Sequence, residues 1–261
     1  MPISTFSMPA NGTSNSLNLL IKNIFGRIFA VWALILFVTT LPIAFLFYLP
    51  CFWLNEPAKA NWHRYVSRVW MRIYLLLIGC PITIVGKENF QFGRPYIVLC
   101  NHNSLMDVPV STPFLPRANK TIAKKSFTRV PVFGWIYSFG SVLVDRKSEE
   151  SRKKSFLDMQ AMLKLGLDML IYPEGTRNTT SQPLAPFYSG AFRLAEATGN
   201  DLLPVLLFHT RSILPPGKFF YCWPHPIHMH ILPAEPVNGR SALQLKEVLF
   251  ERMSHYFLTH H

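Results

Sequence analysis

A histidine followed five residues later by an aspartate, in Asn101-His102-Asn103-Ser104-Leu105-Met106-Asp107, is the segment of this chain best equipped for acid–base chemistry. It follows an apolar run, Tyr96–Cys100, that reads as a buried strand, and it opens a segment with helical periodicity. Positions five apart do not share a face of a regular helix. His102 therefore belongs on the entering turn, from which the Asp107 carboxylate can fold back to its ring. A carboxylate on one imidazole nitrogen fixes the tautomer and raises basicity at the other, which makes a general base. The competing reading is an N-capping cluster of Asn and Ser around an incidental histidine. The H-x4-D spacing alone does not separate the two.

A second segment, Met169–Arg177, is an apolar strand that breaks into Tyr172-Pro173-Glu174-Gly175-Thr176-Arg177. Pro173 and Gly175 force a tight turn, and Arg177 supplies a planar fork suited to a phosphate or carboxylate. The backbone amides of Gly175 and Thr176 are placed to bind an anion or an oxyanion. Both segments begin where strands end, and open α/β sheets present their ligand sites beyond the carboxyl ends of strands. Ser104 and Cys100 lie near His102 in sequence, but neither sits in a recognisable nucleophile elbow.

The elements that must position these residues follow from the apolar pattern. Ile82–Val85, Tyr96–Cys100, Thr121–Ala123, Ser141–Val144, Met169–Tyr172, Leu202–Phe208 and His228–Leu232 read as strands. Helices are predicted at Ser104–Phe114, Val132–Phe139, Glu149–Leu165, Ala191–Ala197 and Leu243–Phe257, with Ser148 capping the third and Gly166 ending it. The alternation predicts an α/β fold with a largely parallel central sheet flanked by helices over residues 81–261.

Upstream the composition changes. Residues 1–17, rich in Ser and Asn, read as a disordered tail. Residues 18–80 read as membrane-associated helices. No charged residue stands between Arg27 and Glu56, and Ile28–Leu54 is long enough to cross a bilayer. Pro42 and Pro50 interrupt it, so the choice between a spanning helix and a re-entrant hairpin stays open. Trp62–Gly79 carries Arg64, Arg68 and Arg72 at four-residue spacing, a stripe suited to phospholipid headgroups. The 26 basic and 14 acidic residues give a formal charge of +12, while 49% of residues are hydrophobic. An anionic membrane surface or substrate accounts for both features, and no nucleic-acid-binding motif accompanies the lysines. The four cysteines form no C-x-x-C pair, which suits reduced thiols at a cytoplasmic membrane face.

Taken together the chain resembles the glycerolipid acyltransferases typified by 1-acylglycerol-3-phosphate acyltransferase. The family's N-H-x-x-x-x-D motif stands here as Asn101, His102 and Asp107, and its F-P-E-G-T-R as Tyr172–Arg177. Gly140–Arg146 corresponds to the block between them, and Pro204 to the proline of the last block. The resemblance runs from about Gly79 to Leu232. It implies direct acyl transfer from acyl-CoA or acyl-carrier protein to a lysophospholipid hydroxyl, with His102 as base and Asp107 as its orienter. It further implies that Lys124, Arg146 and Arg177 receive the acceptor's phosphate, and that Glu174, Gly175 and Thr176 shape that pocket, with Asn101, Pro173 and Pro204 supporting it. No metal and no cofactor beyond the acyl thioester is implied.

One departure keeps another acceptor open. The family often has lysine in F-K-x-G, where this chain has Phe187-Tyr188-Ser189-Gly190. A lyso-aminolipid hydroxyl is the alternative acceptor, and a non-catalytic membrane lipid-binding protein is the alternative of another class. His209, His225, His228 and His230 invite a metal reading, but no clear Cys/His pairing supports it.

Overall fold

The computed structural model describes residues 12–260. Seven strands form one sheet: β1 (Ile82–Val85), β2 (Ile97–Cys100), β3 (Asn119–Lys124), β4 (Ser141–Val144), β5 (Asp168–Ile171), β6 (Leu202–Phe208) and β7 (Ile227–Ile231). Their spatial order is β1-β7-β6-β2-β5-β3-β4. The five from β6 to β4 run parallel. The pair β1 and β7 is parallel within itself but antiparallel to β6. The sheet is thus largely parallel. The central strands β2, β5 and β6 are buried along their whole length, as helices on both faces require.

Alternation along the strands feeds two cores. Val98, Cys100, Leu170, Leu203 and Val205 face one side, with Val110 and Phe114 of α3 (Asp107–Phe114). Ile97, Leu99, Met169, Ile171 and Leu206 face the other. There they meet α5 (Glu149–Lys164), α6 (Gly190–Thr198) and α8 (Ala242–His260). The short helices α4 (Phe133–Phe139) and α7 (Thr210–Ile213) complete the set.

The N-terminal segment is one helix, α1 (Gly12–Tyr48), followed by a short 3-10 turn, Leu49–Phe52. The expected tail is shortened accordingly: Gly12–Leu17 are helical, and residues 1–11 lie outside the described residues. Pro42 sits inside the helix without ending it. The second helix, α2 (Ala58–Leu77), runs back along the first. Trp62 Nε1 donates to Phe47 O, Trp70 Nε1 to Thr40 Oγ1, and Tyr74 Oη to Ala33 O. As the α2 number rises the α1 number falls, so the two form an antiparallel hairpin.

Small residues of α1 at helical spacing, Gly26, Ala30, Ala33 and Ala44, line its buried side. At Gly26 a Cβ would stand 2.1 Å from the Tyr221 ring, so only glycine allows that approach. Ala30, Ala33, Met71 and Tyr74 share one apolar core with the sheet. The opposite side is apolar and bare: Ile24, Ile28, Ile35, Leu46, Tyr65, Ile73 and Leu76 are among its exposed residues.

The arginine stripe on α2 divides. Arg72 is exposed as a headgroup contact would need. Arg64 is not: its Nε and Nη2 donate to Leu115 O at 2.8 and 2.6 Å, satisfying a carbonyl at the end of α3.

Candidate active site

The site forms where four strand ends meet. Strand β2 delivers Asn101, whose side chain holds the backbone of β6 through Nδ2 to Leu207 O (2.9 Å) and Leu207 N to Oδ1 (2.7 Å). The chain then turns through residues with short polar side chains before α3 begins at Asp107, three residues later than the sequence suggests. The delay has a clear cause. The amides of Asn103 and Ser104 donate to Asp107 Oδ2 at 2.6 and 2.7 Å instead of opening a helix. The same oxygen lies 2.8 Å from His102 Nδ1. Asp107 is fully buried, at a helix N-terminus that favours a negative charge.

With Nδ1–H directed at the carboxylate, Nε2 of His102 is left as the acceptor. The Tyr172 ring stacks on the imidazole at 4.3 Å, and its hydroxyl is 2.7 Å from Ser111 Oγ. The imidazole is therefore held at its edge by Asp107 and on its face by Tyr172. The main chain of His102 is held as well: its N–H donates to Glu174 Oε1 (2.7 Å) and its carbonyl accepts from Asn178 N (2.7 Å).

The turn after β5 differs from expectation in two respects. Glu174 does not face a phosphate pocket: it is buried, and its second oxygen accepts from Ala185 N at 2.7 Å. Glu174 thus ties the His102 turn to the loop returning toward α6. Burial raises its pKa to about 7, against the lowering effect of those two amides. The Gly175 amide is not available to an anion either, because it donates to Tyr172 O within the turn. Gly175 has φ +69°, and a Cβ there would lie 2.8 Å from the Tyr188 ring. Pro173 is buried and its carbonyl accepts from Tyr188 N. Pro204 pairs with Leu99 of β2, and the ladder to β7 starts only at Val205, past the missing N–H.

The cations lie together on one side of His102. Lys124 ends β3, Arg146 follows β4, and Thr176 and Arg177 follow β5, all exposed. Arg146 Nη1 donates to Gly175 O, linking two of the strand ends. Arg177 makes no side-chain hydrogen bond or ion pair among the described residues. Of the neighbouring nucleophiles, Ser104 Oγ donates to Leu214 O, and burial pushes the Cys100 thiol well above its ordinary pKa. The histidine quartet draws His209 and His225 to 4.5 Å between ring centroids. No group of three or more His, Cys, Asp or Glu among the described residues could hold a metal.

Tyr172, Ser111 and Asn178 were not singled out as working residues from the sequence. The only sequence signal was that a buried Tyr172 hydroxyl needs a partner.

A family model described as Acyltransferase matches residues 81–208. A 1-acyl-sn-glycerol-3-phosphate acyltransferase of Chlamydomonas reinhardtii is 27% identical over 237 residues, covering 88% of this chain and 69% of that protein. A Saccharomyces cerevisiae protein of the same description is 30% identical over 169 residues, covering 64% of this chain and 55% of that protein. The chain therefore spans little more than half to two thirds of these relatives' lengths. The crystal structure of the 1-acyl-sn-glycerophosphate acyltransferase from Thermotoga maritima superposes with TM-score 0.73 at 20% identity, over 92% of this chain and 96% of that one. That likeness establishes the fold.

Proposed function

Since residues 81–208 belong to the acyltransferase family, we propose that this chain is a membrane-bound O-acyltransferase that converts 1-acylglycerol-3-phosphate to phosphatidic acid. The donor is an acyl thioester of CoA or of acyl-carrier protein. The observation that carries this reading is the 2.8 Å contact of His102 Nδ1 with buried Asp107, which leaves Nε2 as a base beside the exposed Lys124, Arg146 and Arg177.

His102 Nε2 takes the proton of the acceptor hydroxyl as its oxygen attacks the thioester carbonyl carbon. The carbon–sulfur bond breaks, and the thiolate leaves with the proton from the imidazolium. An ester and a free thiol result, and the base is restored. Asp107 stabilises the imidazolium between these two transfers. The three cations receive the acceptor's phosphate, Arg177 with the best-matched fork. The step needs no metal or redox group.

The bare apolar side of the α1–α2 hairpin supports membrane association. At 37 residues α1 is about 55 Å long, yet α2 returns beside it and packs on the sheet's core. A hairpin held in this way suits burial in one leaflet, with the basic residues and active site at the cytoplasmic surface.

The test is acyl transfer by the detergent-purified chain and its His102→Ala variant, with lysophosphatidic acid or a lyso-aminolipid as acceptor and either thioester as donor. The expected result is phosphatidic acid, with kcat lower by on the order of 10³-fold in the variant. Product from the aminolipid alone would overturn the acceptor assignment and explain Tyr188 in place of lysine. No product from any pair would overturn the enzymatic reading in favour of lipid binding.

A further inference from the structure

A cavity of about 470 Å³ opens on the side of His102 away from the cations, and Asn103, Ser181, Gln182, His209, Arg211 and Ser212 are among its lining residues. Sheet order explains the separation. Strand β2 carries His102, with β5, β3 and β4 on one side and β6 on the other. Lys124 ends β3, Arg146 follows β4 and Arg177 follows β5, whereas His209 and Arg211 follow β6; Ser181 and Gln182, farther along the loop after β5, close the cavity against them. A two-substrate transfer at one base needs two approaches, and the fold supplies one on each flank.

Asn103 carries the argument. It adjoins His102 in the chain and is only 6% exposed, and its side-chain Oδ1 has no hydrogen-bond partner among the described residues. A buried amide oxygen left unpaired costs about 1–3 kcal/mol in other proteins, so such a group in a cavity wall calls for a ligand. Rotation about χ2 turns either amide atom toward the cavity, allowing it to donate or accept. Arg211 uses Nη1 on Thr180 O (2.8 Å) and makes no other side-chain hydrogen bond among the described residues. Phe257 and Leu258 give the cavity an apolar wall.

The geometry points to this cavity as the seat of the donor's phosphopantetheine arm, an inference that rests on the acyl-transfer reading above. That arm carries amides to match Asn103, methylene and methyl groups to lie along Phe257, and a phosphate for Arg211. CoA and acyl-carrier protein share it, so the chemistry is common to both donors.

The experiment uses the full chain in detergent, with Arg211→Gln, which keeps a donor for Thr180 O, and Ser181→Trp, which fills the cavity from an exposed position. Acyl-CoA and lysophosphatidic acid are each varied at saturating levels of the other. Both variants are expected to raise KM for acyl-CoA about tenfold, the order of one lost charge-assisted hydrogen bond, with kcat and acceptor KM within about twofold. Free 4′-phosphopantetheine should compete with acyl-CoA in wild type and weaken against Arg211→Gln, whereas pantetheine without phosphate should bind both proteins alike. Repeating the series with acyl-carrier protein assigns the source of the arm.

An active wild type whose Ser181→Trp variant keeps its donor KM would overturn the site alone. A rise in acceptor KM instead of donor KM would do the same. A wild type inactive with every donor and acceptor would overturn the functional reading, and this site with it.

Discussion

Two aspartates at opposite ends of the sheet are equally buried, with no exposed surface, yet they are held differently. Asp168 begins β5 at the sheet's amino edge. Its Oδ1 accepts from Tyr96 N (2.7 Å) and from Arg117 Nη2 (2.5 Å), a partner that is always charged. Arg117 in turn lies over the Phe90 and Tyr96 rings. Asp107, at the carboxyl edge, takes two amides and the imidazole of His102, a partner that carries no permanent charge. Each carboxylate leaves its second oxygen without a hydrogen bond among the described residues. Burial is therefore not what separates the two: the permanence of the partner's charge is. A fixed cation ties strands together, whereas an imidazole in the same place suits the proton transfer proposed for His102.

The contrast breaks most sharply by making the same substitution at both ends. Asp107→Asn should lower kcat by on the order of 10³-fold, because the amide no longer stabilises the imidazolium and can select the wrong tautomer. Its thermal midpoint should stay within a few degrees of wild type. Asp168→Asn should do the reverse. Removing one partner of a buried pair costs about 3 kcal/mol or more, so the midpoint falls while kcat per folded molecule holds. Melting curves and active-site-normalised kinetics on both variants check this. Loss of activity at both positions with no change in stability would erase the distinction.

The same contrast explains what was legible in the sequence. The buried central strands could be read because parallel strands covered on both faces are continuous apolar runs, as Ile97–Cys100 and Leu202–Phe208 show. Strand β3 was read short because its first residues, Asn119 and Lys120, look like loop. Lys120 is in fact buried, paired at 2.5 Å with Glu56 from the turn between α1 and α2, a partner distant in sequence. His102 and Asp107 could be read because their partnership is local, within one turn. Glu174 was misread because its direction depends on where the chain returns at Ala185, eleven residues later. Arg64 failed likewise, since its carbonyl partner belongs to Leu115.

Glu174 sharpens the comparison as a buried carboxylate whose hydrogen bonds among the described residues are from two backbone amides, of His102 and Ala185. Burial raises its pKa from the ordinary 4.5 to about 7 in the folded chain. Between those values the folded state binds the proton more tightly than the unfolded chain does. Its contribution to stability is therefore complete below pH 4.5 and is lost as pH rises through 7. The separation corresponds to at most about 3 kcal/mol. A pH series of thermal unfolding should show this decline in wild type and not in Glu174→Gln. Parallel profiles for the two proteins would show that the amides compensate fully for burial.

Tyr172 probes the finest division, between holding the base and taking part in its chemistry. Its ring stacks on His102, while its hydroxyl points to Ser111 Oγ, which is itself fully buried. Phenylalanine keeps the stack, but it leaves the Ser111 hydroxyl without its partner at a cost of about 1 kcal/mol. Tyr172→Phe should therefore lower the thermal midpoint by a few degrees and change kcat by no more than about twofold. Ser111→Ala combined with Tyr172→Phe should recover most of the lost stability, since removing both partners leaves nothing unpaired. A kcat loss of tenfold or more in Tyr172→Phe, unrelieved in the double variant, would move the hydroxyl from the scaffold to the reacting groups. The line between Asp168's kind of contact and Asp107's would then run through this one side chain.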